Sequence, residues 1–271
     1  NYENGADLPS EIVALTAAQL LARILPILGE AIKAQLDELL GSLLPALEKD
    51  SVLLQTTVIR SLVQMGLTDA SIIEVMIKQL VLHLDRQLSV IRSLTEESQR
   101  REILQCDVLT GYCKAIGELL ILLYTKRYDI SFDLLSMLFT IAKELLTLYH
   151  DHTESDYRQN SLTGNQEAFR VRQIYQYCSE AGWYLIQGLV SSDVDWLLPE
   201  IEGILSLLTT QFINIGTTFH SIQFALQKKD STTDDFLAQE LNLCFSQLLP
   251  CLQTMLILVR IRRDIFDKYT P

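Results

Sequence analysis

The sequence predicts an all-α fold made of stacked antiparallel helical hairpins, with about ten to eleven helices in 271 residues. Helix-start signals return about every twenty residues in the first quarter of the chain, and apolar residues follow helical spacing further on. No segment alternates apolar and polar residues over a convincing length, as a half-buried strand does. A hydrophobic content of 48% provides ample material for a large or continuous core.

Helix-start signals are most regularly spaced in the first quarter of the chain. These signals are Asp7-Leu8-Pro9, Glu30, Asp50-Ser51 and Thr68-Asp69. Two successive helices therefore make a unit of about forty residues, which is the period of HEAT and armadillo repeats. Helical bundles also use hairpins of this length, so the spacing favours an α-solenoid without excluding a bundle.

Longer helices follow. Ser71 and Glu74 have the spacing of a capping box, and helices are predicted over about 99–125 and 130–149. Two neighbouring apolar stripes run along 134–148, which indicates burial on two sides. The polar segment 151–167 is predicted to be a mobile loop. It would separate HEAT-like repeats over 1–150 from further repeats over 168–271, with helices at about 168–191, 194–209, 210–228, 232–249 and 251–268.

Composition restricts the function. A net charge of -12 and a pI near 4.8 argue against nucleic acid as a main ligand and against general adsorption to anionic membranes. Five cysteines without framework spacing indicate reduced thiols in a cytosolic protein. The polar start without a methionine favours an internal fragment of a longer protein. The stretches 203–227 and 241–259 lack charges but carry too many polar residues for a membrane span.

Catalytic motifs are absent from the sequence: it has no Gly-rich phosphate loop, no nucleophile elbow and no H-E-x-x-H pair. His150-Asp151-His152 with Glu154 is a metal-ligand combination only by composition, and a solvated loop explains it better. His83 and His220 lie in predicted helices at half-buried positions. We therefore expect no enzymatic activity, no cofactor and no bound metal.

Two features are candidates for partner binding. Arg260, Arg262 and Arg263 form a basic group near the end of the last helix, suited to an acidic peptide or a lipid head group. A solvated helix face with ion pairs is the alternative. Trp183 and Trp196 have the residue type of interface anchors, but Trp183 shares helical spacing with apolar neighbours and is predicted to fill the core.

One segment carries a family resemblance: Ala181-Gly182-Trp183, then Leu185, Gly188 and Leu189, then Leu197-Leu198-Pro199. With the closing Leu258-Val259-Arg260-Ile261-Arg262 and Tyr269-Thr270-Pro271, it resembles the very large HEAT-repeat accessory proteins of clathrin-adaptor traffic. A fainter similarity lies at Ala115-Ile116-Gly117 with Leu119-Leu120, so the resemblance covers roughly 106–271. The Ser-Ser-Asp turn after the first helix departs from the longer, Gly-containing turn of the family.

This resemblance implies a non-catalytic scaffold in the cytoplasm, peripheral at the trans-Golgi network and endosomes. Its partners would be the clathrin-adaptor complex and its accessory subunits, with membrane association only through partners and with self-association left open. The acidic charge also fits a HEAT-repeat scaffold of another pathway, such as a nuclear-transport receptor that binds basic cargo. A helical lipid-transfer domain is a third reading, which requires a large apolar cavity.

Overall fold

The computed structural model describes residues 8–29, 31–49, 51–92, 103–153, 166–191, 194–227 and 234–261. In these ranges there are ten α-helices, one short 3-10 helix and no strand, which confirms the all-α prediction. The helices are α1 Leu8–Leu28, α2 Ala31–Ala34, α3 Leu36–Leu47, α4 Val52–Thr68, the 3-10 helix Ala70–Ile72, α5 Ile73–Arg92, α6 Ile103–Lys126, α7 Phe132–Thr153, α8 Gln166–Val190, α9 Val194–Gln227 and α10 Asp234–Ile261.

The chain forms two compact units, which meet in sequence at Ile130 and Ser131. In the first unit α4 packs against α1, α3 and α6, and α5 packs against α6. In the second unit α8 packs against α7 and α10, and α9 packs against α10. Within each unit, therefore, a helix contacts both its own hairpin partner and the second helix of the following hairpin.

Several predicted boundaries differ from the structure. Over the segment predicted as a loop at 151–167, α7 continues to Thr153 and α8 begins at Gln166, while 154–165 lie outside the described residues. The predicted break near 209 is absent, since α9 runs unbroken from Val194 to Gln227. Within it, Thr209 and Thr210 donate their hydroxyls to carbonyls one turn back, at 2.8 and 2.9 Å. Pro250 lies inside α10, which continues through it.

The turn between α4 and α5 also corrects a prediction. Asp69, not Ser71, is the capping residue: its Oδ1 accepts hydrogen bonds from the Ser71 backbone N–H at 2.9 Å and from the Ser71 hydroxyl at 2.7 Å. Lys33 of α2 forms an ion pair with the other carboxylate oxygen at 2.8 Å. The hydrogen bonds from Lys33 and Ser71 lower the pKa of Asp69 below its usual value.

Replacing Asp69 by alanine is expected to lower the free energy of unfolding by about 1–2 kcal/mol, because it removes a cap and an ion pair. A lowered folded-state pKa means that the carboxylate stabilises the fold above its unfolded-state pKa of about 3.9. This contribution is lost as the pH falls through the folded-state pKa. Urea unfolding at pH 7 and pH 3 should therefore show a larger gap between wild type and Asp69→Ala at pH 7.

Asn is the matched control for this change, since Asp69→Asn keeps an oxygen that accepts the Ser71 N–H while removing the charge. We expect it to lose only the ion-pair part, about 0.2–1 kcal/mol. An alanine variant as stable as wild type at pH 7 would contradict the capping role.

A tyrosine links two hairpins in the core of the first unit. The Tyr112 ring of α6 is fully buried, and its hydroxyl donates to Glu48 Oε1 at 2.8 Å and contacts the Leu44 carbonyl at 3.4 Å. Burial, together with the Glu48 carboxylate, raises the pKa of Tyr112 far above its usual value, so the phenol stays protonated. His83 stacks on this ring and is half-buried, as predicted.

Both tryptophans are core residues of the second unit. Trp183 is fully buried on α8, and Trp196 on α9 is 3% exposed. The Trp196 ring meets the Phe139 ring of α7 edge-on, and its Nε1 donates to Ser136 Oγ at 3.3 Å. The interpretation of Trp183 as a core residue is confirmed, and neither tryptophan is accessible to a partner.

Candidate interaction surfaces

The structure tests the predicted basic group only in part. Arg260 lies in the last turn of α10 and is exposed. Arg262 and Arg263 lie outside the described residues, so their grouping with Arg260 stays a prediction. His220 is exposed rather than half-buried as predicted.

Within the described ranges, no group of three or more His, Cys, Asp or Glu side chains is placed to hold a metal ion. His150, Asp151 and His152 belong to the end of α7, whereas Glu154 lies beyond the described part. Four cysteines, Cys113, Cys178, Cys244 and Cys251, are buried free thiols. Burial raises the pKa of the Cys251 thiol, which keeps it unreactive.

The outer side of α10 is strongly apolar. Five large apolar side chains follow one another there at intervals of four and three residues in alternation, and each is between 40% and 57% exposed: Phe245, Leu249, Leu252, Leu256 and Val259. This spacing places them in one stripe along the helix, as in the seam of a coiled coil. We call these five residues the α10 surface, and Arg260 lies at its end.

The inner side of α10 is much more polar than its outer side. The buried stripe that faces the unit consists of Cys244, Gln247, Cys251, Thr254 and Leu258. Gln247 accepts a hydrogen bond from Gln211 Nε2 of α9 at 2.9 Å and donates to the Gln176 carbonyl of α8 at 3.5 Å. The larger apolar residues of α10 thus face away from the core that the helix packs on.

Further buried polar groups of the second unit lie along α8. Side-chain atoms of Gln176, Ser179, Trp183 and Gln187 have no hydrogen-bond partner, and neither does Gln211 Oε1 on α9. Each such group costs about 1–3 kcal/mol. The core of the second unit, on which α10 packs, therefore contains polar groups that lower its stability.

A second outward stripe lies on α1, in the first unit. Val13, Leu20, Ile24 and Ile27 are between 46% and 82% exposed, and Ala17 is exposed between them. The intervals are again four and three residues in alternation, over the same length of helix as on α10. We call these five residues the α1 surface.

The opposite, inward side of α1 has few buried residues. Ala18 and Leu25 are its fully buried positions, and the Ser61 hydroxyl of α4 donates to the Ala18 carbonyl at 3.2 Å. In α1, as in α10, most of the bulky apolar side chains therefore point away from the helix's own unit.

Among the described helices, two segments are long and apolar enough to cross a membrane, judged by length and composition alone: Glu11–Leu28 and Val108–Lys126. The second segment is 67% buried and belongs to α6, a core helix of the first unit. The first is α1, of which only 11% is buried. Its packing on α4 and the charge of Arg23 within the segment favour a helix that lies on protein rather than in lipid.

Sequence reasoning missed both outward stripes, although their spacing is visible in the chain. Periodicity identifies an apolar face but does not tell which side meets the core. The available signal was the second, polar stripe in α10, since a soluble helix seldom buries Gln and Thr while it exposes Leu. Comparison with known protein families, with curated proteins and with solved structures finds no match to this chain.

Proposed function

We propose that this chain is part of a non-catalytic helical-repeat scaffold that binds other proteins through outward helix faces. The observation that carries this proposal is the inverted arrangement of α10, with Leu and Phe outside and Gln, Thr and Cys inside. Five half-exposed apolar side chains have about 4–7 kcal/mol of hydrophobic stabilisation still to gain on complete burial, before association costs.

An α-solenoid is the architecture that these packing contacts support best. Within each unit, second helices of successive hairpins pack on one another, as α4 does on α6 and α8 on α10. Helical repeats contact only their neighbours and need polar outer faces where the stack stops. The α1 and α10 surfaces are apolar, so each is suited to receive a further helix.

The pathway within this proposal is clathrin-adaptor traffic between the trans-Golgi network and endosomes. It is supported by the resemblance centred on Ala181-Gly182-Trp183, which lie in the tightly packed part of α8. The partner would offer an amphipathic helix whose apolar side chains recur at three- and four-residue intervals. Arg260, with Arg262 and Arg263, would favour acidic residues at one end of that helix.

Proximity labelling in cells tests the pathway. The chain, fused to a biotin ligase, should enrich adaptor and clathrin subunits, and Leu252→Glu with Leu256→Glu should reduce this enrichment at least fivefold. Ile213→Glu is the control, because Ile213 is exposed on α9 and belongs to neither apolar stripe. Arg260→Glu should give an intermediate loss. Enrichment of nuclear-import cargo in place of adaptor subunits would contradict the trafficking assignment.

A further inference from the structure

We infer that the α10 surface of one molecule binds the α1 surface of a second copy, so that copies associate head to tail. This inference rests on the proposed scaffold function and names a partner for its outward faces. It follows from the matching geometry of the two stripes and from the charges at their ends.

The two stripes match in length and in spacing. Val13 to Ile27 and Phe245 to Val259 each cover fourteen residue steps, or about 21 Å of helix, with the same alternation of four and three. Helices with this repeat interlock side chain by side chain when they lie along one another. Ala17 provides a small residue in the α1 surface, where bulky side chains of the α10 surface can insert.

Charge selects the antiparallel orientation of the two helices. Glu11 is exposed two residues before Val13, near the start of α1, and Arg260 is exposed next to Val259 at the end of α10. Antiparallel packing brings Glu11 of one copy near Arg260 of the other. Parallel packing would instead place Arg260 at the Ile27 end of α1, away from Glu11.

The contact is heterologous, since it joins different surfaces of two identical chains. Such contacts generate rings or open chains rather than only symmetric dimers. Five residues on each side make a small interface, so we expect weak association, at about 10–100 µM. The net charge of -12 opposes it, and added salt should therefore strengthen it by screening.

Mixing two deficient variants tests the inference. Variant A carries Leu20→Glu and Ile24→Glu on α1, and variant B carries Leu252→Glu and Leu256→Glu on α10; all four positions are exposed. In sedimentation-velocity runs from 1 to 100 µM, wild type should form a concentration-dependent series of oligomers. Each variant alone should stay monomeric, and an equimolar mixture should form a one-to-one complex through the intact surfaces.

Other outcomes overturn the inference. If wild type is monomeric at 100 µM, the contact does not form. If variant A still dimerises, α10 of one copy pairs with α10 of the other. An equimolar mixture that stays monomeric excludes the α1–α10 contact. The contact is also excluded if no oligomers form and wild type, but not variant A, floats with phosphatidylcholine vesicles, because α1 then binds lipid. Variant A keeps the α10 surface but is expected not to self-associate, so its adaptor enrichment in the proximity-labelling experiment tests the pathway separately from self-association.

Charge exchange provides a test that does not depend on apolar substitutions. Glu11→Arg and Arg260→Glu should each weaken association about two- to fivefold, as exposed ion pairs do. The double variant should recover most of the loss, because both copies then carry the exchanged pair. Loss without recovery would overturn the antiparallel orientation.

Discussion

Gly182→Ala is expected to lower the free energy of unfolding of the second unit by about 1–3 kcal/mol, despite the better helix propensity of alanine. A Cβ at this position would lie 2.9 Å from Leu146 Cγ and 3.2 Å from the Ala142 carbonyl oxygen of α7. The Leu146 side chain is buried and the carbonyl belongs to the α7 backbone, so neither can yield cheaply. Helices α7 and α8 would have to move apart.

Gly216→Ala is the matched control, because Gly216 is exposed on α9 and a Cβ there meets nothing within 4 Å. It should raise stability by about 0.5–1 kcal/mol through helix propensity alone. The two tryptophans of the chain both lie in the second unit, so urea unfolding followed by tryptophan fluorescence reports on that unit. Equal effects of the two substitutions would refute the close approach of α7 and α8.

Gln176→Met should have the opposite effect and raise the free energy of unfolding by about 1–3 kcal/mol. The Gln176 side chain is 1% exposed, and both its amide atoms are buried without a partner. Methionine has a similar length and flexibility but carries no group that needs a hydrogen bond. The backbone carbonyl that accepts from Gln247 is unchanged by the substitution.

Gln247→Met makes the comparison specific to hydrogen bonding. It removes the bond from Gln211 Nε2 and leaves the whole Gln211 amide buried without a partner. We expect a loss of about 1–3 kcal/mol. Chemical denaturation of the two methionine variants beside wild type checks both signs, and a destabilised Gln176→Met would show that its amide is satisfied in solution.

The buried Gln247 and the outward apolar stripe lie on opposite sides of the same helix, α10. A helix that buries Gln247 and Thr254 while exposing Leu252 and Leu256 gains less from its own unit than its composition permits. Binding of a helix on the outer side would add the missing apolar burial. Because a partner that binds only the folded state stabilises it, binding of a helix to the α10 surface should raise the unfolding midpoint of the second unit.

Local signals in the sequence predicted the secondary structure well. Ser51 caps α4 as its position suggested, accepting from the Leu54 N–H at 3.4 Å. The two stripes of 134–148 lie in one helix, and their described residues are buried, mainly against α8. The predicted breaks at 209 and 250 were wrong because Thr hydroxyls and a single proline disturb only one turn of a long helix. The site prediction rested on charge alone, and only Arg260 can be placed on the surface.

By itself the sequence determined that the chain is helical and acidic, where most helices begin, and that residues such as Trp183 belong to the core. Those properties depend on hydrogen bonds within a turn and on apolar spacing along one helix. Only the tertiary structure decided which face of α1 and α10 meets the core, and that both tryptophans are inaccessible. Burial depends on which other helices occupy each side, and residues far apart in the chain supply those helices.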